Sequence, residues 1–318
     1  MMTDGPDALS VALRTVSFVL LLNAAGIPIF IAAFGRLMPA TVPAVIKLGW
    51  RLAMGALVFV AAHHVLEAAR MTGEMSGVMD PAMQKMALLS PTGAAFGVRV
   101  LGLALVAAGL WAAARPPQYT TPTFAAAIAA PSPTGVSAPT AASRPSATLR
   151  LALLGTLLST TSFTLVGHTS TTPHRLAAAV LITLHLLVIA FWLGSLWPLY
   201  LAAGREQASV TARVIDAFSM AAAWVVPLIL LAGIGLTALL LPSLATFRQP
   251  YGQLLLAKVT GFAVLMAMAS LNKWHFGPAC AEGDTVAFKR TVVIEYVLIC
   301  IVLAATAVMT TFYSPEVA

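Results

Sequence analysis

The sequence predicts an all-α polytopic membrane protein: about eight transmembrane helices in two four-helix halves, with both termini on the outer side. Three observations predict it. Hydrophobic residues make up 59% of the 318 and charged residues only 9%, with a mean hydropathy of +0.91; a soluble domain carries about 25% charge. The apolar residues come in runs long enough to cross about 30 Å of hydrocarbon as helices, and helices are required because lipid leaves an open backbone unsatisfied. Lys and Arg fall between those runs rather than in clusters with aromatics, so the net charge of +7 reports topology, not nucleic-acid binding.

The runs lie near 9–35, 46–69, 92–114, 149–168, 176–202, 214–241, 252–272 and 288–312. The chain opens MMTDGPD, which lacks the positive region of a signal peptide, and the first run is too long for a cleaved segment. Arg36, Lys47, Arg51, Arg115, Arg144, Arg150, Arg205, Arg213, Lys273, Lys289 and Arg290 flank the odd connections. Only Arg70, Lys85, Arg175 and Arg248 flank the even ones. Eleven against four places the odd connections in the cytoplasm. The third connection, 115–148, holds seven prolines among small residues and reads as a disordered cytoplasmic Pro/Ser/Ala linker. It parts residues 1–114, the first membrane half with helices 1–3, from 149–318, the second half with helices 4–8.

The halves look weakly repeated. Residues around Phe96-Gly97 in the third run match those around Tyr251-Gly252 in the seventh, and Gly26 in the first run sits where Gly194 sits in the fifth. With four spans to a repeat, both copies point the same way, about an axis along the membrane normal.

Candidate chemistry gathers on the outer side. The stretch GHTSTTPHRLAAAVLITLHLLVIAFWLGSLWPLY, 167–200, holds His168 and His174 at the outer face and His185 about 15 Å below it. Trp192 follows His185 by seven residues, on the same helical face. His63 and His64 lie about 10 Å below the outer end of the second run, and only His275 is at the cytoplasmic face. The outer connection RMTGEMSGVMDPAMQKMALLSP places Met71, Met75, Met79, Met83 and Met86 at near four-residue spacing, with Gly73, Gly77 and Pro81 breaking the segment. Thioether sulfur and neutral imidazole together suit Cu(I). Taken singly, each has a plainer role: Met-rich stretches pack adaptably, an outer-loop His174 is solvated, and Glu67 is placed to hold one of the His63-His64 pair by an ordinary hydrogen bond. Arg14, Arg99, Lys258 and Glu295 lie in or near spans as snorkelling or paired charges. Cys280 and Cys300 have no metal-like spacing. No nucleotide-binding motif and no catalytic constellation is present, which excludes ATP-driven pumping and points away from an enzyme.

From Gly167 to Pro315 the sequence resembles the CopD family of copper-resistance membrane proteins. The matching pieces are Gly167-His168, LHLLVIAFWLGSLWPL at 184–199, RVIDAFSMAAAWVV, PYGQLLLAK at 250–258, LNK at 271–273, and FKRTVVIEYVLICIVLAATAVMTTFYSP at 288–315. The first half fits the eight-helix layout without a motif. The resemblance implies copper handling at the bacterial inner membrane, beside a periplasmic copper-binding partner of the CopC type. It carries over onto His168, His185, Trp192, Gly194, Tyr251, Gly252, Lys258, Asn272 and Glu295. Of these, His168 and His185 are the copper ligands it suggests, and Lys258 with Glu295 a buried ion pair. The resemblance does not reach the linker, the Met-rich segment or the His63-His64 pair.

The function expected is therefore copper transport, or copper acceptance, at the cytoplasmic membrane, with copper entering from the periplasm. Two rivals stand beside it. One is a b-type haem electron carrier with paired intramembrane histidines, His63 or His64 facing His185. The other is a non-transporting copper-delivery or assembly factor.

Overall fold

A computed structural model describes residues 5–115, 146–167, 170, 172–241 and 243–313. These residues form helices, and no strand occurs among them. The principal helices are α1 (Gly5–Phe34), α2 (Val42–Thr72), α3 (Pro81–Leu89), α4 (Pro91–Ala113), α5 (Ala147–Thr161), α6 (Arg175–Arg205), α7 (Ala208–Val225), α8 (Pro227–Leu240), α9 (Pro250–Leu271) and α10 (Val286–Phe312).

Among the described residues seven helical stretches are long and apolar enough to cross a membrane: Asp7–Leu37, Val42–Thr72, Pro91–Ala113, Arg175–Arg205, Ala208–Leu240, Pro250–Glu282 and Val286–Phe312. The remaining apolar run, expected near 149–168, folds instead as the 15-residue α5 and a 3-10 turn, Ser162–Leu165. Its hydroxyls are the reason. Thr160, Thr161, Ser162 and Thr164 donate back to carbonyls three or four residues earlier, which tightens the end of a helix.

The hub of the bundle is α1, which packs against α2, α4, α5, α6 and α10. Its middle turns, from Leu21 to Phe30, are almost wholly buried. The pairing of α1 with α6 rests on two glycines. A Cβ on Gly26 would lie 1.8 Å from the Ala190 carbonyl oxygen, and one on Gly194 would lie 2.6 Å from Gly26 Cα. Two helix backbones thus touch directly, the contact on which intramembrane association depends when no hydrophobic drive separates protein from lipid. Residues matched in the sequence repeat here meet each other.

The glycines of the other repeat match differ in their surroundings. Gly97 has no neighbour within 4 Å of a Cβ, whereas Gly252 would meet the Thr246 carbonyl at 2.3 Å. Gly93 is crowded in the same way, meeting the Leu88 carbonyl at 2.0 Å, and like Gly252 it follows a helix-opening proline by two residues, Pro91 and Pro250.

The two ends of the bundle are fastened differently. At the end where α1 begins, Arg70 of α2 pairs with Asp7 at 3.2 Å and Glu67 at 3.1 Å. At the opposite end Glu206, just past α6, accepts from both the backbone N–H and the hydroxyl of Thr41, each at 2.8 Å. That carboxylate sits at the N-terminus of α2, where the helix dipole favours negative charge. Arg115 lies over the Trp111 ring, 3.4 Å from its centroid. Most of the predicted linker, 116–145, lies outside the described residues.

Sequence analysis assigns α5 to the second half. In the structure it packs on α4 and α1: Gly102 and Gly155 face each other across α4 and α5, and the Thr156 hydroxyl donates to the Ala25 carbonyl of α1 at 2.8 Å.

Candidate functional site

Three clusters of polar side chains lie within the apolar bundle. The first is His185, half-buried on α6. Proline has no N–H to donate, so Pro227 leaves one rung of the ladder unmade where α7 meets α8 within the single helical stretch Ala208–Leu240, and Val226 keeps helical backbone angles there. Ile229, two residues past that proline, faces His185. Its Nδ1 lies 3.0 Å from the carbonyl oxygen of Ile229. A carbonyl only accepts, so Nδ1 carries the hydrogen and Nε2 presents a lone pair. A ring held through one nitrogen by a backbone carbonyl is the usual arrangement of a metal-binding histidine. Gly233, one turn on, leaves room: a Cβ there would be 3.8 Å from His185 Cε1. Lys258 of α9 is within electrostatic reach of the ring.

The second cluster joins three of the residues carried over by resemblance. Asn272 opens a π-helical turn, Asn272–Phe276, at the end of α9. Its Nδ2 donates to Glu295 Oε1 of α10 at 2.6 Å, and its Oδ1 accepts from the Thr291 hydroxyl. The indole N–H of Trp192, from α6, is directed at the same Glu295 carboxyl. All three residues are buried: 4% exposed for Trp192, 8% for Asn272 and 3% for Glu295. The expected Lys258–Glu295 ion pair is not formed, because the ion pairs among the described residues are those of Arg70. Glu295 is met instead by neutral donors from two other elements.

The third cluster surrounds the histidine pair of α2. Arg14 Nε donates to His63 Nε2 at 3.2 Å, and the same guanidinium reaches the Thr310 carbonyl and hydroxyl of α10 at 3.0 and 3.2 Å. His64 turns the other way and stacks on Phe96 of α4, centroids 4.2 Å apart and planes within 6°. Its Nε2 is buried without a hydrogen-bond partner among the described residues. Glu67, expected to hold one imidazole, is hydrogen-bonded to Arg70 instead. The partners of the two rings are thus Arg14 and Phe96, whereas that of His185 is the Ile229 carbonyl.

The remaining candidates are dispersed. His168 lies outside the described residues. His174 is exposed at the start of α6, and His275 is exposed in the π turn. The methionines do not share one helical face: Met71 ends α2, Met75 and Met79 bound a 3-10 turn, and Met83 and Met86 belong to α3. Gly73, at a positive φ of 77°, stops α2, and Asp80 caps α3 by accepting from the N–H groups of Ala82 and Met83. Met79 is 84% exposed, and Met71, Met75 and Met86 about half. Tyr251 and Gly252 lie in the first turn of α9, where Gly252 packs closely on the Thr246–Phe247 backbone. Among the described residues no group of three or more His, Cys, Asp or Glu side chains could hold a metal ion.

Long apolar helices with polar side chains sequestered between them define a multi-pass membrane protein. Residues 212–309 match the family model described as Copper resistance protein D, and residues 2–137 match Copper resistance protein D-like, N-terminal domain. The chain belongs to the CopD family of copper resistance proteins, and its role lies broadly in copper resistance and homeostasis. The second match falls on the half in which the sequence offers no motif. No curated protein and no solved structure matches the chain.

Proposed function

We propose that the protein takes up copper, as Cu(I), at the outer face of the bacterial cytoplasmic membrane and passes it inward through the bundle. The observation that carries this reading is His185: its tautomer is set by the Ile229 carbonyl, so that Nε2 is available to a soft metal. The exposed methionines of the segment between α2 and α4 offer sulfur at the same end as His174 and Arg175, and a periplasmic copper protein of the CopC type would deliver there. Lys and Arg asymmetry supports that end as the periplasmic one. The protein acts as a carrier rather than an enzyme. A non-transporting delivery role would use the same ligands and differ only in whether copper crosses.

Metal analysis and Cu(I) titration of the detergent-purified protein test the binding, and copper accumulation in proteoliposomes tests passage. His168→Ala should reduce capture. His185→Ala should leave copper bound at the outer face and stop its passage. Accumulation that survives His185→Ala in a stable, correctly inserted protein would remove the intramembrane station. A visible spectrum without a Soret band is expected, and such a band would favour haem.

A further inference from the structure

Glu295 stands nine residues into α10, about 14 Å from its start, and the bundle leaves it 3% exposed. The groups touching its carboxyl, Asn272 and Trp192, are neutral donors. The charged or titratable groups on the elements around it are engaged or distant. On α1, Asp7 is paired with Arg70, Arg14 is held by His63 and Thr310, and Asn23, donating to the Tyr296 hydroxyl, is neutral. On α6 they are Arg175 and Arg205 at its two ends with His185 and Tyr200 between, and on α9, Tyr251 and Lys258. In the π turn Lys273 and His275 are exposed. On α10 itself they are Lys289, Arg290, Tyr296 and Cys300. None of the cations lies within ion-pair distance of Glu295.

An ionised carboxylate at this depth with no counter-charge is costly, and neutral hydrogen bonds do not supply the missing charge. Carboxylate oxygen is also a hard ligand, ill suited to Cu(I), so the residue makes a poor copper station. Its position is informative. Trp192 is seven residues past His185 on α6, about 10 Å further along and within about 20° of the same face. The imidazole available to a metal and the indole directed at the uncompensated carboxyl are thus successive along one helix face. The amide of Asn272 is oriented by Thr291 so that its N–H meets the carboxyl, and a π turn is a common place for such a functional irregularity.

We propose that Glu295 is the proton site that balances the copper charge: it holds a proton while His185 is empty and releases it as Cu(I) arrives. The O–H bond of the carboxyl breaks, the proton passes to water, and the electron pair stays on the carboxylate, which the Asn272 and Trp192 N–H groups are placed to receive. One positive charge enters as one leaves, no electron moves, and the proton returns when copper departs. The inference rests on the copper reading of His185.

The test is a Cu(I) titration of the whole detergent-purified protein in weakly buffered solution, following copper bound and protons released together. The wild type should release roughly one proton per copper at the His185 site. Glu295→Gln, nearly isosteric and fixed in the protonated-like state, should release no proton and by linkage bind copper at least about tenfold more weakly at the same pH (about 1.4 kcal/mol). Trp192→Phe removes one of the two donors that receive the carboxylate and should move the proton release to higher pH, a change that a proton source elsewhere would not show, which covers the case in which Glu295→Gln fails to fold. Copper binding by the wild type with no proton released, or with release unchanged in Glu295→Gln, overturns the proton site and leaves the copper reading standing. Failure of the wild type to bind copper overturns the copper reading, and the proton site with it.

Discussion

The direct backbone contact between α1 and α6 makes a quantitative prediction. A Cβ needs about 3.5 Å from a neighbouring heavy atom. Gly26→Ala would place one 1.8 Å from the Ala190 oxygen, and Gly194→Ala one 2.6 Å from Gly26 Cα, so the helices must part by roughly 1.5 Å and 1 Å respectively. Overpacking of this kind costs about 1–3 kcal/mol, and more when backbone must move. Gly194→Ala is expected within that range. Gly26→Ala is expected at or above its upper limit, a shift of roughly a hundredfold in the unfolding equilibrium. Both changes fill the same gap, so the double variant should fall short of the sum by at least about 0.5 kcal/mol. Gly97→Ala is the control: nothing lies within 4 Å of it, and alanine there should be neutral or stabilise the helix by up to about 1 kcal/mol. Reversible unfolding in mixed micelles, followed by tryptophan fluorescence, measures all four. If Gly26→Ala proves as stable as Gly97→Ala, the two backbones do not meet as described.

Three further outcomes are expected. Changing Met71, Met75, Met79, Met83 and Met86 together to Leu should weaken copper capture at low concentration without lowering thermal stability, because four of the five are exposed; unchanged Cu(I) affinity would return them to packing. Glu206→Ala should cost about 1–2 kcal/mol through the lost Thr41 cap, while Glu206→Gln, which keeps an acceptor oxygen, should cost less in the same unfolding assay. A reporter active only in the periplasm, fused after Ala318, should be active, and activity of a cytoplasmic reporter there would reverse the sidedness proposed above.

The helices were legible because hydropathy is a local property, and the glycine–proline punctuation of the Met-rich segment correctly announced breaks at Gly73 and Pro81. What escaped depends on partners far away in sequence. Pro227 sits in an unbroken apolar run, so hydropathy reads the single stretch Ala208–Leu240 without marking the rung that the proline omits beside the carbonyl meeting His185. The engagement of His63 depends on Arg14, 49 residues earlier, and that of Glu295 on Asn272, 23 residues earlier; no pattern of spacing reveals which of several polar side chains a carboxyl will meet. The crowding at Gly93 and the open space at Gly97 have the same origin, since only the neighbouring carbonyl shows which glycine is indispensable. The CopD resemblance picked out Trp192, Asn272 and Glu295 individually, and the fold makes them one cluster.

The placement of α5 has a mechanical meaning. This helix follows the linker in the chain yet dovetails with α4 on one side and α1 on the other, while α1 in turn is clasped by α6. The covalent connection between the two stretches of chain is thereby made redundant with two non-covalent seams. Cutting the polypeptide within 116–145 would not release two independent bodies. The pieces, synthesised separately, would each display an unsatisfied seam and would find one another in the bilayer, so that the bundle behaves as a single interlocked object assembled from two strings.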